Sequence, residues 1–200
     1  MSNGRGAGVR KRGASDRRVV RTQRALGEAL VELMLVHDYD AISVQQVLDR
    51  ARVGRATFYA HFRGKHDLLL SDVERFWGAF EAHFLRHAAG TTRVAPVAEL
   101  FAHVADVARF QEALVRAGLR ETVHDLLGAH IARLIERRLA ELRPESGRAS
   151  LPRGAMARLF AGALLEMLRW WLERDVRPSP REMDARFHEI VWGGVARVTP

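Results

Sequence analysis

The 200-residue sequence has no cysteine. That absence excludes disulfides, thiolate metal sites and cysteine nucleophiles together. Long apolar runs are missing too. The most apolar stretches, Ala25 to Val36 and Leu159 to Leu172, are interrupted by Glu28, Glu32, Glu166 and Arg169. They fall well short of the about 20 apolar residues that a membrane-spanning helix needs. The first 15 residues are rich in glycine and arginine and hold no apolar run, which is not the pattern of a secretory leader. The expectation is a soluble cytoplasmic protein with no membrane partner. Gly-rich phosphate loops, G-x-S-x-G and H-E-x-x-H are also absent, so no catalytic residues and no enzyme are expected. His83 and His87 have the i, i+4 spacing of a helical metal pair but lack a third ligand, and His124 and His130 are six apart. No metal or other cofactor is expected.

What is present is charge, unevenly placed. The net charge is +8. Residues 1–66 carry +7 of it, and residues 67–200 only +1. A basic end on a neutral body is the electrostatic pattern of a chain that meets nucleic acid. A solvated basic tail is the plainer alternative. Residues 1–15 read as a flexible basic arm containing Arg5, Arg10, Lys11 and Arg12.

Hydrophobic periodicity predicts helices almost throughout, and no window alternates as a strand does. The first helix runs from about Asp16 to His37, with Leu26, Ala29, Leu30, Leu33 and Met34 on one face. Ser43 is a good N-cap for a second, short helix carrying Val44, Val47 and Leu48. Arg52-Val53-Gly54 reads as a turn, and Arg55 to Phe62 as a third helix with Phe58 and Phe62 facing inward. A long helix begins at Lys65. Further segments follow from Pro96 to about Ala108, Phe110 to Arg116, Glu121 to Leu142, Gly154 to Arg174 and Pro180 to Arg197, with a loop at Pro144–Pro152. The fold class is therefore all-α with about nine helices, arranged as a flexible arm (1–15), a helix-turn-helix domain (16–66) and a helical body (67–200).

Two short helices across a tight turn form a helix-turn-helix, whose second helix enters the major groove. With Phe58 and Phe62 inward, Ala56 and Ala60 point outward, flanked by Thr57 and Tyr59. Small residues let a helix approach base edges, and alanine can touch a thymine methyl. The alternative is that these alanines are simply helix formers. Arg55, at the helix start, has the reach to grip a guanine bidentately. Lys65 lies at a helix N-terminus, where the macrodipole disfavours a cation unless an anion is present. A phosphate there, with Tyr59 and His61 donating to its neighbours, is one reading. A solvated lysine offset by Asp67 is the other.

These residues carry a resemblance. Arg21 to Leu70, with ISVQQVLDRARVGRATFYAHFRGKHDLL at its centre, resembles the DNA-binding domain of the TetR family of transcriptional regulators. Thr57-Phe58-Tyr59, His61-Phe62, Lys65 and Leu68-Leu69 match that family's signature. The resemblance implies Ser43, Gln45, Gln46, Arg55, Thr57, Tyr59, His61 and Lys65 as DNA-facing positions. It departs from the family at Arg52, where glycine is frequent, and at Leu48, where a small residue is frequent. A reshaped turn or a phosphate contact from Arg52 is the expected consequence of the first.

A single helix-turn-helix makes few base contacts, so a homodimer on a palindromic double-stranded operator is expected. The resemblance implies a four-helix bundle of the last two helices from each subunit. Candidate interface residues are Gly162, Ala163, Glu166, Trp170, Phe187, Ile190, Val191 and Gly194. Trp170 and Trp171 are adjacent and point about 100° apart on a helix, so one of them is expected to face the partner. The resemblance also implies a small-molecule effector in the body. Candidate lining residues are Trp77, Phe80, Phe84, Phe101, His103, Leu127, Ile131, Phe160 and Leu164, with His83, His124 and His130 as further polar contacts. An aromatic stripe of this kind is equally what plain core looks like. The expected function is a ligand-released, DNA-binding repressor associated with the nucleoid. The alternative is a non-specific nucleic-acid or membrane-surface protein that uses the basic arm.

Overall fold

The computed structural model describes residues 6–142 and 151–198. Among these, the chain forms nine α-helices, one short 3-10 turn and no strand. The helices are α1 (Gly6–Met34), α2 (Val44–Ala51), α3 (Arg55–Tyr59), α4 (Lys65–Ala88), α5 (Val97–Asp106), α6 (Ala108–Arg116), α7 (Arg120–Leu142), α8 (Arg153–Leu172) and α9 (Pro180–Val198). The 3-10 turn, Tyr39–Ala41, lies between α1 and α2.

The helix beginning expected at Asp16 lies instead at Gly6. Elongating an existing helix fixes only one residue per added hydrogen bond, so α1 runs back through Gly8 and Gly13 although glycine is a poor helix former. The remaining part of the expected arm, residues 1–5, lies outside the described residues, as does most of the Pro144–Pro152 loop. The third helix also ends earlier than expected, at Tyr59. Beyond it the chain continues in hydrogen-bonded turns, with the amides of His61 and Phe62 both donating to the Phe58 carbonyl at 2.9 Å.

The chain divides into two compact units. The first takes in the residues through Arg75 together with Glu112–Ala117. Its core is apolar: Leu26, Leu30, Val47, Phe58 and Leu68 are completely buried. The boundary falls inside α4 because that helix's first turns belong to this core, with Leu68 and Leu69 sealed off. Asp72 and Arg75 lean on α1. Arg75 pairs with Asp72 and donates to the Gln23 carbonyl, and Gly27 leaves no side chain in the way of Asp72. Burial pushes the Asp72 carboxyl up, against the pull of Arg75.

The second unit comprises Phe76–Gln111 and the residues from Gly118 onward. Here α7 packs on α8, and α5 on α9 and α8. One cluster holds Trp77, Phe84, Phe101, Ile131, Leu164, Phe187 and Val191, all at most 2% exposed. A polar seam closes this unit beside the chain between α4 and α5. The buried Arg138 guanidinium donates to the carbonyls of Ala88, Thr91 and Arg93 at 3.0–3.1 Å. Arg93 in turn grips Glu99 and Asp184. His188 Nε2 accepts the Val94 amide at 3.0 Å, and the Trp192 indole donates to the Thr92 carbonyl at 3.0 Å.

Candidate nucleic-acid interface

The reading head is assembled by local signals. Ser43 caps α2 in a reciprocal box: its Oγ accepts the Gln46 amide at 3.2 Å, and the Gln46 side-chain oxygen accepts the Ser43 amide at 2.7 Å. Two orphan amide donors of the helix start are thereby satisfied. At the other end of α2, Arg52 adopts the left-handed conformation, φ 55° and ψ 44°. Its amide bonds to the Asp49 carbonyl, and the Val53 amide to the Leu48 carbonyl at 3.1 Å. This pair of bonds is the Schellman ending. Arginine therefore takes the geometry that glycine takes easily, and the turn keeps its shape rather than being remodelled. Leu48 is 2% exposed, so the larger side chain sits inside the core.

Phe58 and Phe62 are buried at 0% and 4% exposure, which turns the opposite face of α3 to solvent. Arg55, Ala56, Thr57, Tyr59, Ala60 and His61 are all exposed there, alongside Ser43, Gln45, Gln46 and Arg52. Tyr59 stands edge-on to Phe58, with ring centroids 5.2 Å apart, and its outer half is free. Arg55 Nη2 donates to Gln45 Oε1 at 2.9 Å, and Gln45 Nε2 donates to Asp49 Oδ1 at 2.7 Å. Asp49 was not among the expected site residues. The i, i+4 spacing of Gln45 and Asp49 on one helix was the available signal.

Lys65 differs from the phosphate-binding expectation. Its ammonium donates to three carbonyls, those of Tyr39 at 2.6 Å, Asp40 at 3.2 Å and Ile42 at 2.9 Å, and lies 4.5 Å from the centre of the Tyr39 ring. An ammonium has three donors, so all are used inside the fold. The carbonyls around the 3-10 turn need partners, and a half-buried cation satisfies them better than scattered water does. The dipole at the start of α4 is offset instead by Asp67, whose carboxylate accepts the Arg63 amide at 2.8 Å.

In the second unit the expected interface residues separate into two sets. Gly162, Ala163, Glu166 and Trp170 lie exposed on one side of α8, and Ile190 is 61% exposed on α9. Phe187 and Val191 do not belong with them. They lie in the i, i+4 row Met183, Phe187, Val191 and Val195, which is the buried side of α9. Gly194 is half-buried, with its Cα side against the Phe160 ring. The two tryptophans differ in burial: Trp171 is 4% exposed and donates to the Pro178 carbonyl at 2.7 Å, whereas Trp170 is 40% exposed beneath the Arg174 guanidinium.

The expected effector-lining residues form packed core. Trp77, Phe84, Phe101, Ile131, Phe160 and Leu164 are buried in one cluster, with Phe80 and Leu127 partly buried against it. Large side chains at helical spacing interdigitate and leave little void. His103 stacks on Phe76 at 4.4 Å between ring centres, and burial lowers its pKa. A groove of about 520 Å³ lies elsewhere, between α7 and α8, and none of the nine expected residues lines it. Gly128, Ala132, Ala161 and Gly162 line it together with the polar His124, Arg133, Glu136 and Arg158. Burial also lowers the pKa of His124. Among the described residues, no group of three potential ligands could hold a metal ion.

Comparison with known proteins gives concordant results. The sequence profile for bacterial regulatory proteins of the tetR family matches residues 27–71, and a profile for a transcriptional regulator C-terminal region matches residues 96–193. The HTH-type transcriptional regulator TcmR of Streptomyces glaucescens is 28% identical over 149 residues, which is 74% of this chain and 63% of that protein. The uncharacterized HTH-type transcriptional regulator YxbF of Bacillus subtilis is 38% identical over 61 residues, 30% of this chain and 16% of YxbF. The chain thus spans less than two thirds of the length of either relative. Among solved structures, the fatty acid degradation regulator FadR from Bacillus halodurans superposes with a TM-score of 0.61 at 19% identity, over 87% of this chain and 96% of that one.

Proposed function

Because the chain belongs to the TetR family of DNA-binding transcriptional regulators, whose members are not enzymes, we propose that it is a homodimeric repressor of a palindromic operator, released by a small molecule. The exposed face of α3 and the turn after it, with Arg55, Ala56, Thr57, Tyr59, Ala60 and His61 around a fully buried Phe58, carry this reading. Together they combine one guanidinium able to grip a guanine, small residues that admit close approach, and donors suited to phosphates. The work of such a protein is at the nucleoid. Among the described residues no helix is long and apolar enough to cross a membrane.

Two features support the remaining parts of the proposal. The exposed row Leu159, Gly162, Ala163, Glu166 and Trp170 on α8, with Ile190 on α9, gives a second copy an apolar surface to cover. The Trp77 indole N–H is completely buried and has no acceptor. An effector carrying an acceptor would satisfy it and so favour an opened body over the packed one. Selection of duplexes from random DNA at physiological salt tests the reading. A two-fold symmetric site, with loss of binding in Arg55→Ala, is the expected result. Recovery of no preferred sequence, or binding carried entirely by residues 1–15, refutes it.

A further inference from the structure

We propose that Asp49 is a positioning residue for base recognition. Acting through the Gln45 amide, it holds Arg55 in its reading orientation before DNA arrives. The inference rests on the reading of Arg55 as a base contact. Gln45 and Asp49 lie one turn apart on α2, and Arg55 opens α3 on the far side of the Arg52–Gly54 turn. The chain of hydrogen bonds runs Arg55 Nη2 to Gln45 Oε1 at 2.9 Å, then Gln45 Nε2 to Asp49 Oδ1 at 2.7 Å.

The direction of that chain is set by chemistry. A carboxylate only accepts, so Asp49 takes the NH2 end of the Gln45 amide and turns its oxygen toward the guanidinium. With an uncharged amide at 49, either end of Gln45 fits, and half of the arrangements point a donor at a donor. Arg55 spends one of its five donors on Gln45 and keeps the others for a bidentate grip on guanine. A long flexible side chain is thereby restrained on one side only, which reduces the freedom it must lose on binding. This arrangement has a cost that identifies it. Asp49 is exposed beside the reading residues, and a carboxylate there repels every DNA phosphate whatever the sequence. A residue retained merely to hold α2 would carry no link between affinity for random DNA and preference at one base pair.

The test uses the full chain and duplexes selected from random DNA. Base preferences and binding to a scrambled duplex are compared in the wild type, Arg55→Ala, Asp49→Asn and Asp49→Glu. Arg55→Ala is expected to erase preference at one base pair per half-site. Asp49→Asn is expected to lower preference at that same base pair about threefold or more, while binding the scrambled duplex more tightly. Asp49→Glu, which keeps the charge and the acceptor, is expected to restore most of the preference. If Arg55→Ala erases the preference and Asp49→Asn leaves it intact, the relay is refuted while the reading of Arg55 stands. An Asp49→Asn variant that loses preference equally at all positions has a structural defect, and this also refutes the relay. If Arg55→Ala leaves the selected site unchanged, the reading of Arg55 falls and the relay with it.

Discussion

Replacing Arg52 with glycine tests how the turn of the reading head is held. Arg52 is the one non-glycine residue with positive φ among those described, at φ 55° and ψ 44°. The left-handed conformation costs an L-residue roughly 1–2 kcal/mol. Glycine escapes that cost but loses more backbone freedom on folding, roughly 0.5–1 kcal/mol. The Schellman bonds are made by the backbone and survive the change, so a net gain of roughly 0.5–1 kcal/mol is expected. Tryptophan fluorescence is the wrong probe, because Trp77, Trp170, Trp171 and Trp192 all lie in the second unit. Amide hydrogen exchange at Val47 and Phe58 reports on the correct one, and protection there should rise roughly two- to fivefold. Arg52→Ala keeps the strain and should leave protection near the wild-type level. Unchanged or reduced protection in Arg52→Gly would refute the strain argument. Binding adds a readout of opposite sign. If the exposed Arg52 meets a phosphate, the variant that folds more stably binds DNA more weakly, and the slope of log K against log salt becomes shallower by about 0.9.

Two further outcomes follow from the polar contacts. Lys65→Met takes the side-chain donor from the Asp40 and Ile42 carbonyls and leaves the Tyr39 carbonyl only the Ile42 amide, and should destabilise the first unit by about 2 kcal/mol, read by hydrogen exchange. Its salt slope should equal that of the wild type, because the ammonium is already fully engaged. The Asp184 carboxyl is pushed up by burial, but hydrogen bonds from His188 and Arg93 outweigh this and hold its pKa below the ordinary value. A carboxylate shifted down on folding contributes stability above its unfolded pKa of about 4 and loses it as pH falls through the folded value. The stability gap between wild type and Asp184→Asn, measured by urea titration, should therefore be constant from pH 7 to about 5 and close below about pH 4.

The head was far more legible in the sequence than the body, and the reason is the range of the interactions involved. Ser43 with Gln46 is a four-residue signal, and Phe58 with Phe62 is an i, i+4 pair, so the start of α2 and the inner face of α3 can be read locally. The role of Lys65 could not be read, because its partners are main-chain carbonyls more than twenty residues away and carry no side-chain signature. Phe187 and Val191 show a different limit. Periodicity identifies a helix as amphipathic, but α9 is apolar at Phe187, Ile190 and Val191 alike, and only tertiary packing shows that Ile190 alone points outward. The aromatic stripe from Trp77 to Phe84 has the same ambiguity between lining a cavity and filling one. Here it fills one, and the groove formed instead between α7 and α8, where of the residues singled out in the sequence for the effector only His124 lies and the small residues that open the space, Gly128, Ala132, Ala161 and Gly162, give no such signal.

The division of labour within the head follows from the size of α3. A helix of five residues is too short to sustain itself in water, so its geometry must come from outside its exposed face. The structure supplies that geometry from behind and below: the buried Phe58 and Phe62, the Schellman turn at Arg52, and Lys65 drawing the 39–42 segment onto the start of α4. Substitutions at the exposed Thr57 and Ala60 should consequently alter recognition while sparing stability, whereas Tyr59 and His61 also stand edge-on to Phe58 and Phe62 and contribute to both. Arg55 contributes to both as well, since its hydrogen bond to Gln45 spans α2 and α3. It is therefore a position where loss of recognition and loss of local order are readily confused. The hydrogen-exchange protection of Phe58 separates the two, because a variant that reads poorly yet protects Phe58 at the wild-type level has lost only the base contact.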